Sequence, residues 1–567
     1  MYDSFRRQAF AELDQQQFDL LVIGGGITGA GIARDAALRG LKVALMEKSD
    51  FGSGTSSKSS KLIHGGLRYL QHAEFGLVFE AVSERTLLLK LAPHLVKPQL
   101  FLVPTYKGQY PSRFVLGCGM WMYDALSKFA APDRHRAYRK KGVQKIEPGL
   151  RQESITGGVT YYDGMTDDAR LTLETILDAA AAGAKVLSYA RVKTFVEDQT
   201  GAVKGVTVSD VLDETQTATV FAKVTVNSTG PWSDLVLRLL RHNQPAPMVR
   251  PTKGVHILVD AARLPVQHAV VMTVPSDGRI IFAIPWTDPE SPAASRTVLG
   301  TTDTDYHGDP DRVAADAADI DYLLAVANHY FPDSKLVPQD VLSTWAGLRP
   351  LVMPSSDGLD ASSVSREHRI LSRPGLVTII GGKLTTYRRM AAQLLSEAYK
   401  QLGDPEPPCA TIDRPLPGAS DLKPPTDDYD PVAELADELG KLNHPSVDKQ
   451  VARHLASTYG VRARQIVATL TDDPSGGERL NPELPFLYAE VDFAVKSDLA
   501  QRLDDVLCRR MPLLLLARDQ GLACAEQVAR RMAAIRGWTD ERTAKELATY
   551  RDSVELSRQF RKVPSGK

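Results

Sequence analysis

The chain has 567 residues, a net charge of −1 at neutral pH and 68 basic against 69 acidic side chains, so it is too long for one core and lacks the bulk charge that draws nucleic acid. Cys118, Cys409, Cys508 and Cys524 stand far apart with no C-x-x-C, which excludes a disulfide framework or zinc site and suits a reducing cytoplasm. The densest apolar run, Met511 to Leu516, is far short of a span of ~20 residues, and the charged start does not resemble a secretory signal.

Residues 1–17 place Tyr2, Phe5, Ala9 and Leu13 at helical spacing. A helix packed on its own protein or a loose tail is the simpler expectation, and a helix lying on a membrane surface the alternative. Phe18 to Ile23 then reads as a buried strand, Ala30 to Arg39 as a helix stopped by Gly40, and Leu41 to Met46 as a second strand ending in Glu47. Between strand and helix lies Gly24-Gly25-Gly26-Ile27-Thr28-Gly29. Strand, G-x-G-x-x-G, helix, strand and acid together form a dinucleotide-binding βαβ unit, which a plain glycine-rich turn would not. Gly24 turns the chain, Gly26 admits a pyrophosphate to backbone N–H groups, Gly29 lets helix and strand pack, and Glu47 can accept from ribose hydroxyls.

The loop Phe51 to Ser60 is polar and rich in donors, as a second phosphate cradle requires. His64-Gly65-Gly66-Leu67-Arg68-Tyr69 joins two glycines, which admit a flat ring, to three side chains able to touch a polar substrate. Helices are predicted over Phe75 to Leu91 and Asp167 to Ala182, with Pro93, Pro98 and Pro104 interrupting regular helix between them. Strands are predicted at Lys185–Ser188, Arg191–Val196, Val203–Ser209 and Lys223–Asn227, the last leading into Gly230. Residues 250–300 read as antiparallel strands, Leu376 to Ile380 as a final strand, and Leu384 to Leu402 as a long helix after Gly381-Gly382. Eight prolines between 405 and 431 mark a linker over 404–431. Beyond it the pattern is helical, with candidates at Asp448–Tyr459, Ala463–Leu470, Asp498–Arg510 and Ala523–Ile535.

Val22-Ile-Gly-Gly-Gly-Ile-Thr-Gly-Ala-Gly and Ser57-Lys-Ser-Ser-Lys-Leu-Ile-His-Gly-Gly-Leu-Arg-Tyr-Leu resemble the FAD-dependent glycerol-3-phosphate dehydrogenases, which are respiratory enzymes. Val226 to Trp232, Gly300-Thr-Thr-Asp303, Trp345-Ala-Gly-Leu-Arg349-Pro and Gly381-Gly-Lys-Leu-Thr-Thr-Tyr-Arg388 extend the likeness in the family's order. The resemblance implies an α/β fold: a Rossmann-like FAD-binding domain over 18–403, interleaved with an antiparallel-sheet substrate domain (roughly 75–155 and 235–350) of glucose-oxidase and amino-acid-oxidase type. An all-α domain follows over 432–567. In that tail Met511-Pro512-Leu-Leu-Leu-Leu516 departs from the family pattern after Arg510, and no functional residue is carried over from it.

The implied reaction is oxidation of sn-glycerol 3-phosphate to dihydroxyacetone phosphate, with hydride passing to FAD and electrons then to a membrane quinone. By resemblance, FAD is held by Gly24, Gly25, Gly26, Thr28, Gly29, Glu47, Lys48, Thr55, Ser56, Ser57, Lys61, Leu62, His64, Gly65, Gly66, Leu67, Val192, Gly230, Trp232, Gly382, Lys383, Leu384 and Thr385. The substrate is held by Arg68, Tyr69, Thr302, Arg349, Arg366 and Lys383, with Arg349 placed either on the phosphate or beside the reacting C2 oxygen. His256 is the expected base, within Lys253-Gly-Val-His-Ile, and His64 the other candidate. The protein is expected to be cytoplasmic and peripheral on the inner face of the cytoplasmic membrane, without metal, and able to form a homodimer. The alternatives are an oxygen-reducing glycerol-3-phosphate oxidase and an FAD-dependent amine or amino-acid oxidase; the large insertion of the former has no counterpart between Asp303 and Lys383.

Overall fold

A computed structural model describes residues 2–66, 74–109, 112–126, 134–242, 244–286, 294–353, 368–426, 428–442 and 444–562, apart from the side chains of 2–5 and 126. The expected Leu67, Arg68, Tyr69 and Arg366 contacts lie outside these residues.

One sheet runs in the order Arg369–Arg373, Leu376–Ile380, Thr217–Asn227, Gln17–Ile23, Val43–Met46, Lys185–Leu187. Along this order the pairings from Leu376–Ile380 onward are parallel, and Val203–Asp210 joins Thr217–Asn227 antiparallel beside them. Parallel strands must be covered on both faces, which is why Leu20, Val22, Leu45, Val224 and Val226 are all apolar and buried. The helices Ile27–Leu38 and Tyr387–Leu402 cover one side through Ala30, Ala33, Met390 and Leu394. The N-terminal helix Tyr2–Asp14 packs on its own protein: Phe10 and Leu13 are buried, and Arg6 pairs with Asp210 at 2.6 Å.

The second sheet is mostly antiparallel, in the order Thr304–Asp305, Val249–Asp260, Arg296–Gly300, Ile280–Trp286, Ala269–Thr273, Val96–Tyr106, Ile155–Thr166, Leu62–Ile63. Val341–Val352 also pairs with Val249–Asp260, setting His256 opposite Trp345 and Thr252 opposite Arg349. Pro98 and Pro104 do more than end a helix, since both lie inside the strand Val96–Tyr106.

The proline-rich stretch 404–431 is packed on the fold: Leu416 and Ala419 are buried, Gly418 N–H donates to Glu174 at 2.9 Å, and Arg34 donates to the Arg414 carbonyl at 2.8 Å. One expectation is corrected. The predicted helix Asp498–Arg510 starts only at Leu503, because Asp505 Oδ2 caps the amides of Gln501 and Arg502 at 2.7 and 2.9 Å. Residues Val506–Arg510 then form a wider π turn.

Glu147 joins the second sheet to the helix Lys140–Ile146; its Oε2 accepts the amides of Gln267 and His268 at 3.0 and 3.1 Å. Burial pushes this carboxyl up to about 7 against those two hydrogen bonds. Between the ordinary carboxylate range and pH 7 the native state therefore binds the extra proton, and stability contributed by Glu147 is lost as pH rises through that window. Relative to Glu147→Gln, the wild type should lose on the order of 2 kcal/mol between pH 5 and 8 in urea titrations. Equal pH slopes for the two proteins would contradict this.

Candidate active site

The strand Gln17–Ile23 delivers the chain to Gly24 and Gly26, and the following helix Ile27–Leu38 opens with Gly26 as N-cap and no side-chain cap. An added Cβ at Gly24 would stand 2.9 Å from the Ser228 carbonyl, and one at Gly29 would fall 1.9 Å from the Gly24 carbonyl. The turn and the helix–strand contact thus both depend on missing side chains. This helix end faces a cavity of about 600 Å³ lined by Gly24, Gly26, Thr28, Glu47, Lys48, Thr55, Ser56, Val192, Gly230 and Trp232. Ser56 Oγ accepts the Ile27 amide at 2.9 Å. Glu47 accepts the amides of Gly25 and Ser49 at 2.7 and 2.8 Å, and burial raises its carboxyl above the ordinary range despite them. Lys48 is ion-paired with Asp311 and lies 4.6 Å from the centre of the Trp232 ring, while Trp232 Nε1 donates to Asp311 at 2.9 Å.

A second cavity of about 280 Å³ adjoins the first, the two sharing Thr55, Lys58, Pro350 and the turn Gly381 to Leu384 as lining. It is walled by His64, His256, Arg279, Thr301, Asp303, Arg349 and Lys383, with Leu62, Gly66 and Thr385 also present. The antiparallel sheet assembles this cluster from strands that are distant in sequence. His256 is 3% exposed, its ring stacks on Trp345 at 4.9 Å between centres, and its Nε2 meets Ser60 Oγ at 2.8 Å. Burial first, then the charges of Arg349 and Lys61, hold its imidazole well below the ordinary histidine range, so it is neutral at pH 7. Arg349 donates to Asp303 at 3.0 Å, to Thr301 Oγ1 at 3.1 Å and to the Thr302 carbonyl at 3.2 Å. These bonds hold its guanidinium across Gly254, where an added Cβ would sit 2.5 Å from Nη2.

Six expected site residues stand elsewhere. Thr302 is 3% exposed, its hydroxyl accepts the Val255 amide at 3.0 Å, and Thr301 lines the chamber instead. Lys61 lines neither cavity; its ammonium is held by Asp168 at 2.5 Å, and Lys58, three residues earlier, faces both. Gly25, Gly29 and Gly65 serve packing: a Cβ at Gly25 would meet the Phe51 ring at 2.7 Å, and one at Gly65 the Tyr123 hydroxyl at 2.1 Å. Ser57 lies in a short 3₁₀ turn and lines neither cavity.

The sequence reading missed Lys58, Arg279 and the C-terminal contribution. Burial, and then Arg509, push the Lys58 ammonium below its ordinary range. Arg279 directly precedes the apolar strand Ile280–Trp286 and donates to the Asp303 carbonyl at 2.7 Å; a cation at the entry to such a strand was the available signal. Arg502, Asp504 and Arg509 reach the larger cavity from the helical region. There Arg509 meets Asp50 at 2.5 Å and Asp505 at 2.8 Å, and Arg510 bridges Asp50 and the Asp498 carbonyl. Burial would raise the Asp50 carboxyl, but Arg510 and Arg509 outweigh it and hold it below the ordinary range. No short motif announces this contact, because Asp50 and Arg509 are brought together only by docking.

A long cleft with a helix N-terminus at one glycine turn, a half-buried acid beside it and a second glycine turn at the chamber wall fits a flavin dinucleotide. Residues 19–388 match the family model described as FAD dependent oxidoreductase, and 409–543 match the C-terminal domain of alpha-glycerophosphate oxidase. The chain is 38% identical over 560 residues to a glycerol-3-phosphate dehydrogenase of Synechocystis, covering 96% of this chain and 98% of that protein. It is 36% identical to the aerobic glycerol-3-phosphate dehydrogenase of Staphylococcus saprophyticus, covering 97% of each. Among solved structures, the glycerol-3-phosphate dehydrogenase of Bacillus halodurans complexed with FAD superposes with a TM-score of 0.79 at 32% identity, covering 99% of this chain and 98% of that one. The paired glycine turns, the cation-lined chamber and these full-length likenesses agree: the chain belongs to the FAD-dependent glycerol-3-phosphate dehydrogenase family.

Proposed function

We propose that the protein oxidises sn-glycerol 3-phosphate to dihydroxyacetone phosphate and delivers the electrons to a membrane quinone, working as a peripheral enzyme at the inner face of the cytoplasmic membrane. The observation that carries this reading is the chamber itself: Arg279, Arg349 and Lys383 converge beside a neutral histidine, across a shared wall from the dinucleotide cleft. FAD, when bound, supplies the acceptor for the hydride leaving C2. Lys383 and Arg279 anchor the phosphate dianion, with Arg68, Tyr69 and Arg366 added on the strength of the family resemblance. Arg349 lies nearer His256 and stabilises negative charge on the C2 oxygen as it forms. His256 Nε2 exchanges the Ser60 hydroxyl for the substrate hydroxyl and takes its proton. Arg349, which weakens His256 as a base, also acidifies the alcohol that His256 must deprotonate, so the two effects oppose one another.

An amine or amino-acid oxidase has no need of three cations for its substrate. The test is the visible spectrum of the purified protein, recorded before and after adding glycerol 3-phosphate without oxygen. A yellow protein bleached by the phosphate ester, left unchanged by glycine or proline, and reoxidised faster by a soluble quinone than by air supports the reading. Bleaching by the amino acids, or faster reoxidation by oxygen, overturns the substrate or the acceptor respectively.

A further inference from the structure

The helix Arg113–Leu126 is apolar on both sides. Leu116, Met120 and Tyr123 face inward onto Val78 and Val82 of the helix Phe75–Leu91. Its outward face carries Phe114, Val115, Cys118, Trp121, Met122 and Ala125, all exposed, with Phe114 80% and Trp121 57% accessible. The one acid in that stretch, Asp124, is turned inward and holds His135 at 2.7 Å. The neighbouring helix adds exposed Phe75 and Phe79. Large aromatic side chains gathered on the outside of a folded protein mark a contact surface.

The surroundings select the partner. Residues 134–146 hold six Lys and Arg and no Asp or Glu. This basic strip is tied to the start of the apolar helix: Arg113 Cδ stands 3.0 Å from a Cβ placed on Gly157, and Gly157 pairs with Arg139. The other end is tied by the edge-to-face contact of Trp121 with His135, 5.0 Å between ring centres. An aromatic face flanked by a basic strip fits an anionic lipid surface, where rings sit among headgroups and cations meet phosphates. Among the described residues no helix is long and apolar enough to cross a membrane, and this one, at about 21 Å, suits lying in the interface.

The inward side reaches the chamber. Tyr123 donates to Asp163 at 2.9 Å, Arg85 holds the same carboxylate at 2.5 Å, and Asp163 lines the smaller cavity. We infer that the outer face of Arg113–Leu126, with its basic rim, is the surface by which this protein docks on anionic membranes. The inference rests on the quinone reading above, since a lipid-borne acceptor is what such docking would serve.

The experiment is flotation of the full-length holoenzyme with vesicles of phosphatidylcholine alone or with 30% phosphatidylglycerol, for the wild type and for Phe114→Ser/Trp121→Ser. Both side chains are exposed and lie outside the catalytic chamber, so dye-linked glycerol 3-phosphate oxidation should be unchanged, which reports folding. The wild type should bind the anionic vesicles, more weakly at high salt, and the double variant should lose at least tenfold in partitioning. Wild type that ignores both vesicle types, or a variant that binds like wild type, overturns the surface. A wild-type dimer that the substitutions convert to monomer, with vesicle binding intact, shows that a second copy covers this face and overturns the lipid assignment. Dye-linked oxidation with no quinone activity overturns the acceptor while leaving the vesicle result to decide the surface.

Discussion

Replacing His256 by alanine should slow reduction of the bound flavin by glycerol 3-phosphate by about 10²–10⁴-fold, with KM shifted only a few-fold. The imidazole is buried, stacked on Trp345 and set against Ser60, and nothing in this geometry gives it a phosphate to hold. Its loss therefore removes proton transfer rather than binding. Stopped-flow traces separate the two: a KM effect with an unchanged limiting rate would reject His256 as the base. Because burial and the neighbouring cations hold the imidazole neutral, the pH profile of the free enzyme should show no inflection from His256 between about pH 6.5 and 8. The same depression has a stability consequence. Below pH ~6.5 the unfolded chain takes a proton that native His256 refuses, so stability falls as pH drops from there toward the lower native value. His256→Ala should lose that slope in acid-side melts.

Gly29→Ala should yield a colourless protein. The new methyl would stand 1.9 Å from the Gly24 carbonyl and 2.7 Å from Ser228 Oγ, and the nearer atom is backbone, which cannot swing aside. Either the glycine turn opens and the dinucleotide cleft loses its shape, or the helix Ile27–Leu38 lifts from its strand. Overpacking of this kind costs about 1–3 kcal/mol, and FAD affinity should fall at least tenfold by fluorescence titration of the apoprotein. Gly40→Ala is the control. Its φ of +88° gives a conformational penalty, but no atom lies within 4 Å of the new methyl. That variant should lose about 1–2 kcal/mol and stay yellow. If both variants retain flavin equally, tight packing at Gly29 is not what shapes the cleft.

The comparison of Lys58 with Lys61 shows where sequence reading reaches its limit. Both lie in one Ser- and Lys-rich loop, and the family motif spans both. Only Asp168, more than a hundred residues on, decides which ammonium is neutralised and which faces the cavities. Thr301 and Thr302 differ for a similar reason: both lie just past the end of the strand Arg296–Gly300, and the hydrogen bond from the Val255 amide to the Thr302 hydroxyl selects the buried one. Arg509 lies still further out of reach, being brought to Asp50 by the docking of a helical region.

Local pattern alone determined the parallel βαβ unit, the second glycine turn, the strand that carries His256 and the helical tail. Each depends on spacing, backbone freedom or periodicity, properties that neighbouring residues settle among themselves. Only the tertiary structure decided which cations share the chamber, that residues 404–431 are docked, and that an apolar helix face is left outward beside a basic strip. Those outcomes depend on burial and charge pairing between distant segments, and no short stretch of sequence contains both partners.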